Sequence, residues 1–316
     1  MSFAVAILLG CSTAVAVAQQ VGPGPVISAG YAPPAPIAVA PGQVITLFSR
    51  ASASSQLTDA AIAEQTPLPT SLGGFSVFLE QTFSETLIPL PLFAVFPLRN
   101  CYGLVPSVCT PLTAITVQIP WQLRPNVPRS ARPENFAVLR LSQAGVSGES
   151  VPLNPVADAI HVVSTCDTTM PAVSSRPPES TGACRPLLTH LDGELVTPGN
   201  PARAGETVVL YLVGLGATSL GQENGMAAAG PAALEGIRAA FRFGADLDPQ
   251  EPGTSNLTPS YAGPTPGQVG LYQISFAVPE PPGGTLPCPS ASSSNITVSF
   301  GRAVSFGGVA FCVEIQ

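Results

Sequence analysis

The stretch that most restricts the fold is residues 200–216, NPARAGETVVLYLVGLG. Asn200, Pro201 and Gly205 form a polar turn, and Thr207–Val213 is a run of β-branched and apolar residues. Such side chains sit well on a pleated surface, so the run reads as a strand. Gly214 and Gly216 then stop it. A weaker copy lies at residues 40–48, APGQVITLF. With Gly42 aligned to Gly205, the copies read Gly-Gln-Val-Ile-Thr-Leu-Phe and Gly-Glu-Thr-Val-Val-Leu-Tyr. The chain therefore reads as two β domains, each organised around this strand. A repeat of about 150 residues is far longer than a solenoid period and means duplicated domains.

Proline (36) and glycine (30) punctuate many short apolar runs, and 45% hydrophobic residues supply ample core for a 316-residue chain. That pattern favours sandwiches over helices. Only 10% of residues are charged, the twelve basic residues are all arginine, and the net charge is −7. With no basic stripe and few aromatic residues, nucleic-acid binding lacks the cationic surface that phosphates require.

Residues 1–18 are small and apolar and end in Ala-Val-Ala before Gln19, as at a signal-peptide cleavage site, although no Lys or Arg precedes the apolar span within them. The span is too short for a comfortable membrane helix. Leu8-Leu9-Gly10-Cys11 also resembles a lipoprotein box, in which Cys11 would carry the lipid anchor. Residues 19–41 are a Pro/Gly-rich leader with one short strand at 26–29. Alternating or β-branched segments follow at 44–48, 75–79, 112–120, 136–141 and 159–163, completing a first half at 42–165. A further strand region at 87–96 is interrupted by Pro89 and Pro91, which marks it as an edge or bulged strand. Residues 166–184 read as a connection. The second half, 185–316, has strands at 187–191, 207–213, 237–243, 269–278, 296–300 and 309–315. Its run 269–278 ends at Val278-Pro279 as 112–120 ends at Ile119-Pro120.

Seven cysteines occur, at 11, 101, 109, 166, 184, 288 and 312. After Cys11, the other six form three sequence-local pairs, which favours disulfides Cys101–Cys109, Cys166–Cys184 and Cys288–Cys312 in an oxidising compartment. Six cysteines allow about fifteen pairings, so spacing alone does not fix the connectivity. Each bridge would contribute about 3 kcal/mol by loop entropy. A zinc site is the rival reading, but no pair has CxxC spacing and His161 and His190 lie far apart.

No GxSxG, HExxH, P-loop or EF-hand pattern is present. Gly214-Leu215-Gly216 lacks a following helix and reads as a strand-end turn, not a phosphate loop. Asp246, Asp248 and Glu251 form a loop acidic cluster whose oxygens are weak calcium candidates, against a plain solvated loop. His161 sits in an alternating strand and reads as structural. His190 and Asp192 are spaced to share a strand face, so a hydrolase triad with one of many hydroxyls stays open as a minor alternative. Trp121, the only tryptophan, reads as a core-edge residue, with a glycan-binding platform as the sharper alternative.

Taken together, residues 200–216, SYAGPTPGQVGLYQISFAVP and SSNITVSFG in the second half resemble the uncharacterised C-terminal domain family abundant in Solibacter-type acidobacteria. PVISAGYAPPAPIAVAPGQVITLFSR, LPTSLGGFSVFL and TAITVQIPWQL in the first half match it too, so the resemblance covers roughly residues 26–316. It implies paired immunoglobulin-like domains of the IPT/TIG kind on secreted or surface proteins. The sequence departs from the family at 30–36 and in the cysteine-bearing loops 99–111 and 164–185. The resemblance supplies no catalytic residues.

The expected fold is all-β, with two tandem immunoglobulin-like (IPT/TIG-type) β-sandwiches after a signal segment. The expected role is non-enzymatic: a secreted or surface structural, adhesive or interaction protein without cofactor. Its partner would be an extracellular protein or glycan, not nucleic acid, with no membrane span. Self-association through a strand donated by the leader is a further expectation. A carbohydrate-binding module using Trp121 is the alternative.

Overall fold

The computed structural model describes residues 25–26, 36–50, 59–82, 84–98, 112–126, 135–165, 167, 185–218, 221–244, 255–288 and 294–315. Among them are nineteen strands and no helix. In chain order the first ten are β1 (Pro25–Val26), β2 (Ile37–Val39), β3 (Val44–Arg50), β4 (Ala61–Ile62), β5 (Phe75–Gln81), β6 (Ile88–Pro89), β7 (Leu92–Leu98), β8 (Leu112–Gln118), β9 (Ala137–Gln143) and β10 (Val146–Pro155). The rest are β11 (His161–Val162), β12 (Leu188–His190), β13 (Thr207–Val213), β14 (Arg238–Phe243), β15 (Ser255–Leu257), β16 (Tyr261–Pro264), β17 (Tyr272–Ala277), β18 (Ile296–Gly301) and β19 (Phe306–Phe311).

They form four sheets. Sheet A has the order β1-β3-β8-β7-β4, and sheet B the order β2-β10-β9-β5-β6. Sheet C runs β11-β13-β17-β16, with β12 also on β13, and sheet D runs β15-β14-β18-β19. All ladders are antiparallel except β2 on β10. Sheets A and B enclose one core, in which alternation along β5 turns Phe75, Val77 and Leu79 inward against Ile45, Leu47, Ile115 and Val117. Sheets C and D enclose a second, where Tyr272, Ile274 and Phe276 of β17 meet Leu210 and Leu212 of β13 and Val298 and Phe300 of β18. Burying each such large side chain contributes about 1.5–3 kcal/mol.

The two sheet pairs agree in order and register. The sequence β6-β5-β9-β10 in sheet B has its counterpart in β15-β14-β18-β19 of sheet D. Likewise β3-β8-β7 corresponds to β13-β17-β16. The aligned glycines carry the detail. Gly42 and Gly205 have φ of 74° and 79°, a region open to glycine because it lacks Cβ. Each is the third residue of a turn, closed by Gln43 N–H to the Ala40 carbonyl (3.2 Å) and by Glu206 N–H to the Arg203 carbonyl (3.1 Å). Gly42 N–H donates to the Ile119 carbonyl (3.0 Å), and Gly205 N–H to the Val278 carbonyl (2.9 Å). Val44 then faces Gln118, and Thr207 faces Ala277. Three residues before each glycine, Val39 pairs in parallel with Pro155, and Ala202 with Val313.

Two expected strands fall differently. The run 87–96 is divided: β6 is the edge of sheet B, and the chain then crosses at Leu90-Pro91 into β7 of sheet A, with a register shift between Leu92 and Ala94. A proline has no N–H for a ladder, so the crossing sits where pairing would fail anyway. Residues 159–163 contribute β11, which pairs with β13 of sheet C instead of completing the first sheet pair. The leader strand is β1, Pro25–Val26, paired with Leu47 and Thr46 of its own chain's β3.

Candidate functional site

The outer face of sheet A is not a wet surface. Alternation puts Ile45 and Leu47 inward, so Val44 and Thr46 point outward, yet they are 0% and 1% exposed. Across the ladder Ala114, Thr116 and Gln118 are equally buried, and Thr46 and Thr116 join their hydroxyls at 3.1 Å. Val44 and Phe93 pack with Val163, Leu187, Tyr211, Val213 and Leu271 from the second sheet pair. An apolar junction therefore covers the backs of sheets A and C. Gly270 makes the approach close: a Cβ there would lie 2.6 Å from Val44 Cγ2 and 2.9 Å from the Gly42 carbonyl oxygen.

Polar clamps flank this apolar patch. On one side the loop at 221–236 reaches the first sheet pair. Gln118 accepts Gly225 N–H through Oε1 (2.7 Å), while Leu68 N–H donates to the Gly225 carbonyl (2.9 Å). Asn224 Oδ1 accepts Trp121 N–H (2.9 Å), and its Nδ2 donates to Gln122 Oε1 (2.8 Å). The Trp121 indole lies where a Cβ on Gly42 would fall, and it packs against the second core. The tryptophan is thus half-buried as a wedge between the sheet pairs.

On the other side the segment joining β10 to β11 is held by Asp158, only 1% exposed. Its carboxylate accepts the N–H groups of Ala303 (2.9 Å), Val304 (3.1 Å) and Ser305 (2.7 Å) and the Ser305 hydroxyl (2.5 Å). Ser305 Oγ in turn accepts Ile160 N–H (2.8 Å). Gly214 and Gly216, at φ of 80° and 77°, take the opposite edge of the same segment. A Cβ on either would strike the carbonyl of Ala159 or Ala157, and Ala159 N–H donates to the Gly214 carbonyl (2.7 Å). Arg302 donates to the carbonyls of Leu215 and Ala217, the latter at 3.0 Å. The Tyr272 hydroxyl donates to the Gly216 carbonyl (2.6 Å). Burial pushes the Tyr272 pKa well above its ordinary value, partly offset by the nearby Arg302 charge. The Gly-Leu-Gly turn is thus a socket for the chain between the sheet pairs.

The histidines hold local structure. His161 Nε2 lies 3.1 Å from Asp167 Oδ2, which also accepts Ser164 N–H (2.5 Å). His190 Nδ1 is 3.0 Å from Glu206 Oε1, and its Nε2 is 3.3 Å from the Asn200 carbonyl. Asp192 accepts Glu194 N–H (3.0 Å) within the turn after β12. Cys288 and Cys312 form the expected disulfide. Beside it Asn295 donates to the Val313 carbonyl (2.9 Å) and accepts Val313 N–H (2.8 Å), fastening the loop before β18 to the end of β19. Leu191 (73%), after β12, and Leu286 (75%), in the segment before β18, are exposed. Cys11, Cys101, Cys109, Cys166, Cys184, Asp246, Asp248 and Glu251 lie outside the described residues. Among the described residues no three His, Cys, Asp or Glu side chains gather as a metal site, and no helix could cross a membrane.

The junction was missed from sequence, although one signal for it was present. Val209, Tyr211 and Val213 make β13 apolar on both faces, as in strands covered on both sides. The partnership of Asp158 with residues 303–305 left no local signature. Compared with known proteins, the sequence matches no protein-family model and no curated protein.

Proposed function

We propose that the chain is a secreted or surface-held, non-enzymatic protein of two tandem immunoglobulin-like sandwiches of the IPT/TIG kind, related to the Solibacter-type family, with a structural or adhesive role. The observation that carries this reading is the shared strand order and register of the two sheet pairs, locked back to back through a buried junction. Domains joined by a small polar interface swing relative to one another, whereas an apolar, interlocked one transmits force as a block. Such a block suits a spacer or adhesin: it holds the exposed Leu191 and Leu286 of the second sheet pair in a fixed position relative to the first. The Cys288–Cys312 bridge supports an oxidising compartment. In this reading the titratable groups at the junction serve the fold, and none is assigned to catalysis.

The test is fractionation of cells expressing the full chain, with thiol labelling before and after reduction. The reading expects the protein in the envelope or medium with Cys288 and Cys312 inaccessible until reduced. Cytosolic protein with both thiols labelled at once would sink it. Self-association belongs to the same reading: β1 made with a second copy's β3 would link chains. Removing residues 19–26, which carry β1 and spare β2 of sheet B, should then abolish any oligomer seen by size-exclusion chromatography.

A further inference from the structure

Asn224 is the only asparagine in the chain followed by glycine. That pair is the one most prone to spontaneous deamidation, because glycine leaves the following amide nitrogen unhindered. Here the groups around the reacting atoms are held by residues 118–122 and by Leu68 of the first sheet pair. The Gly225 nitrogen, the nucleophile, donates to buried Gln118 at 2.7 Å. The Asn224 carboxamide is fixed at both ends, by Trp121 N–H (2.9 Å) and by Gln122 Oε1 (2.8 Å). The Gly225 carbonyl is tied to Leu68 N–H (2.9 Å).

We propose that Asn224-Gly225 is a self-modification site guarded by the junction, which makes opening of the two sheet pairs irreversible. While the junction is closed, Gln118 retains the proton on the Gly225 nitrogen and the carboxamide cannot turn toward it. Once it opens, the Gly225 nitrogen attacks Asn224 Cγ, a C–N bond forms, and the side-chain nitrogen leaves as ammonia with the proton lost from Gly225. Water then opens the cyclic imide, giving aspartate or, by attack at the other carbonyl, isoaspartate. The only co-reactant is water, and no electrons are transferred. Either product opposes reclosure. A carboxylate oxygen would face Gln122 Oε1 where Nδ2 donated before. Isoaspartate also lengthens the backbone and withdraws Gly225 from Gln118 and Leu68.

The test follows deamidation of the full chain by peptide mapping and enzymatic isoaspartate methylation, in buffer and in denaturant. The folded chain should deamidate at position 224 slower than the unfolded one by about tenfold or more, the factor one buried hydrogen bond supplies. Gln118→Ala should recover much of that difference while the other asparagines stay unchanged. Should that variant fail to fold, native protein in graded sub-denaturing guanidinium serves instead, with the rate at 224 rising before global unfolding. Equal rates in folded and unfolded chain, or a folded Gln118→Ala protein as slow as the parent, would overturn the proposal. So would an aged, deamidated protein whose amide exchange at the Gly225 and Trp121 contacts is unaltered.

Discussion

Replacing Asp158 by alanine tests whether the junction holds the molecule together. In the native chain its carboxylate serves three backbone N–H groups and the Ser305 hydroxyl, and it is almost wholly buried. Removing it leaves those donors without an acceptor, at about 1–3 kcal/mol for each group that stays buried. Ala303 and Val304 lie at an exposed turn, so water can reach part of the site and the sum is discounted. The net loss expected for Asp158→Ala is about 2–4 kcal/mol, and for Asp158→Asn, which keeps one acceptor oxygen, about half that. Guanidinium denaturation measures the loss, and hydrogen exchange localises it. Exchange should quicken first at the Ala159 N–H held by Gly214 and at 303–305, before either core. A change within about 0.5 kcal/mol, as for an ordinary surface substitution, would refute the assignment of Asp158 as the clamp.

Gly205→Ala should cost about 1–2 kcal/mol, the strain of a Cβ at positive φ with open space around it. Gly42→Ala should cost clearly more by thermal denaturation, because its Cβ falls on Trp121; equal losses would argue against the wedge. Reducing Cys288–Cys312, separated by 24 residues, should lower unfolding free energy by about 3 kcal/mol. Tyr272 gives a pH signature. Its folded pKa is raised above the unfolded value of about 10, so its contribution is intact below that pH and declines above it, by about 1.4 kcal/mol per pH unit. Tyr272→Phe should flatten that alkaline slope, and the parent should show one tyrosine whose absorbance titrates only on unfolding.

Strand positions were largely readable because alternation and Gly/Pro punctuation are local. Thr207–Val213 is observed as expected, and Tyr272, Ile274 and Phe276 are the inward set in β17. The repeat was readable because Gly42 and Gly205 each need positive φ at the same point of the same turn. Non-local contacts were not readable. Nothing near Asp158 announces a partner some 145 residues away, and a lone tryptophan after a strand looks alike as a wedge or as a platform. The apolar outer face of β13 was the available clue that a second surface had to be covered, since a sandwich standing alone keeps that face polar.

A buried apolar junction flanked by polar clamps should make the two sheet pairs unfold as one cooperative body. Differential scanning calorimetry of the oxidised full chain tests it most directly. A single endotherm with equal van't Hoff and calorimetric enthalpies is expected, separating into two in Asp158→Ala. Two resolved transitions in the parent protein would contradict it.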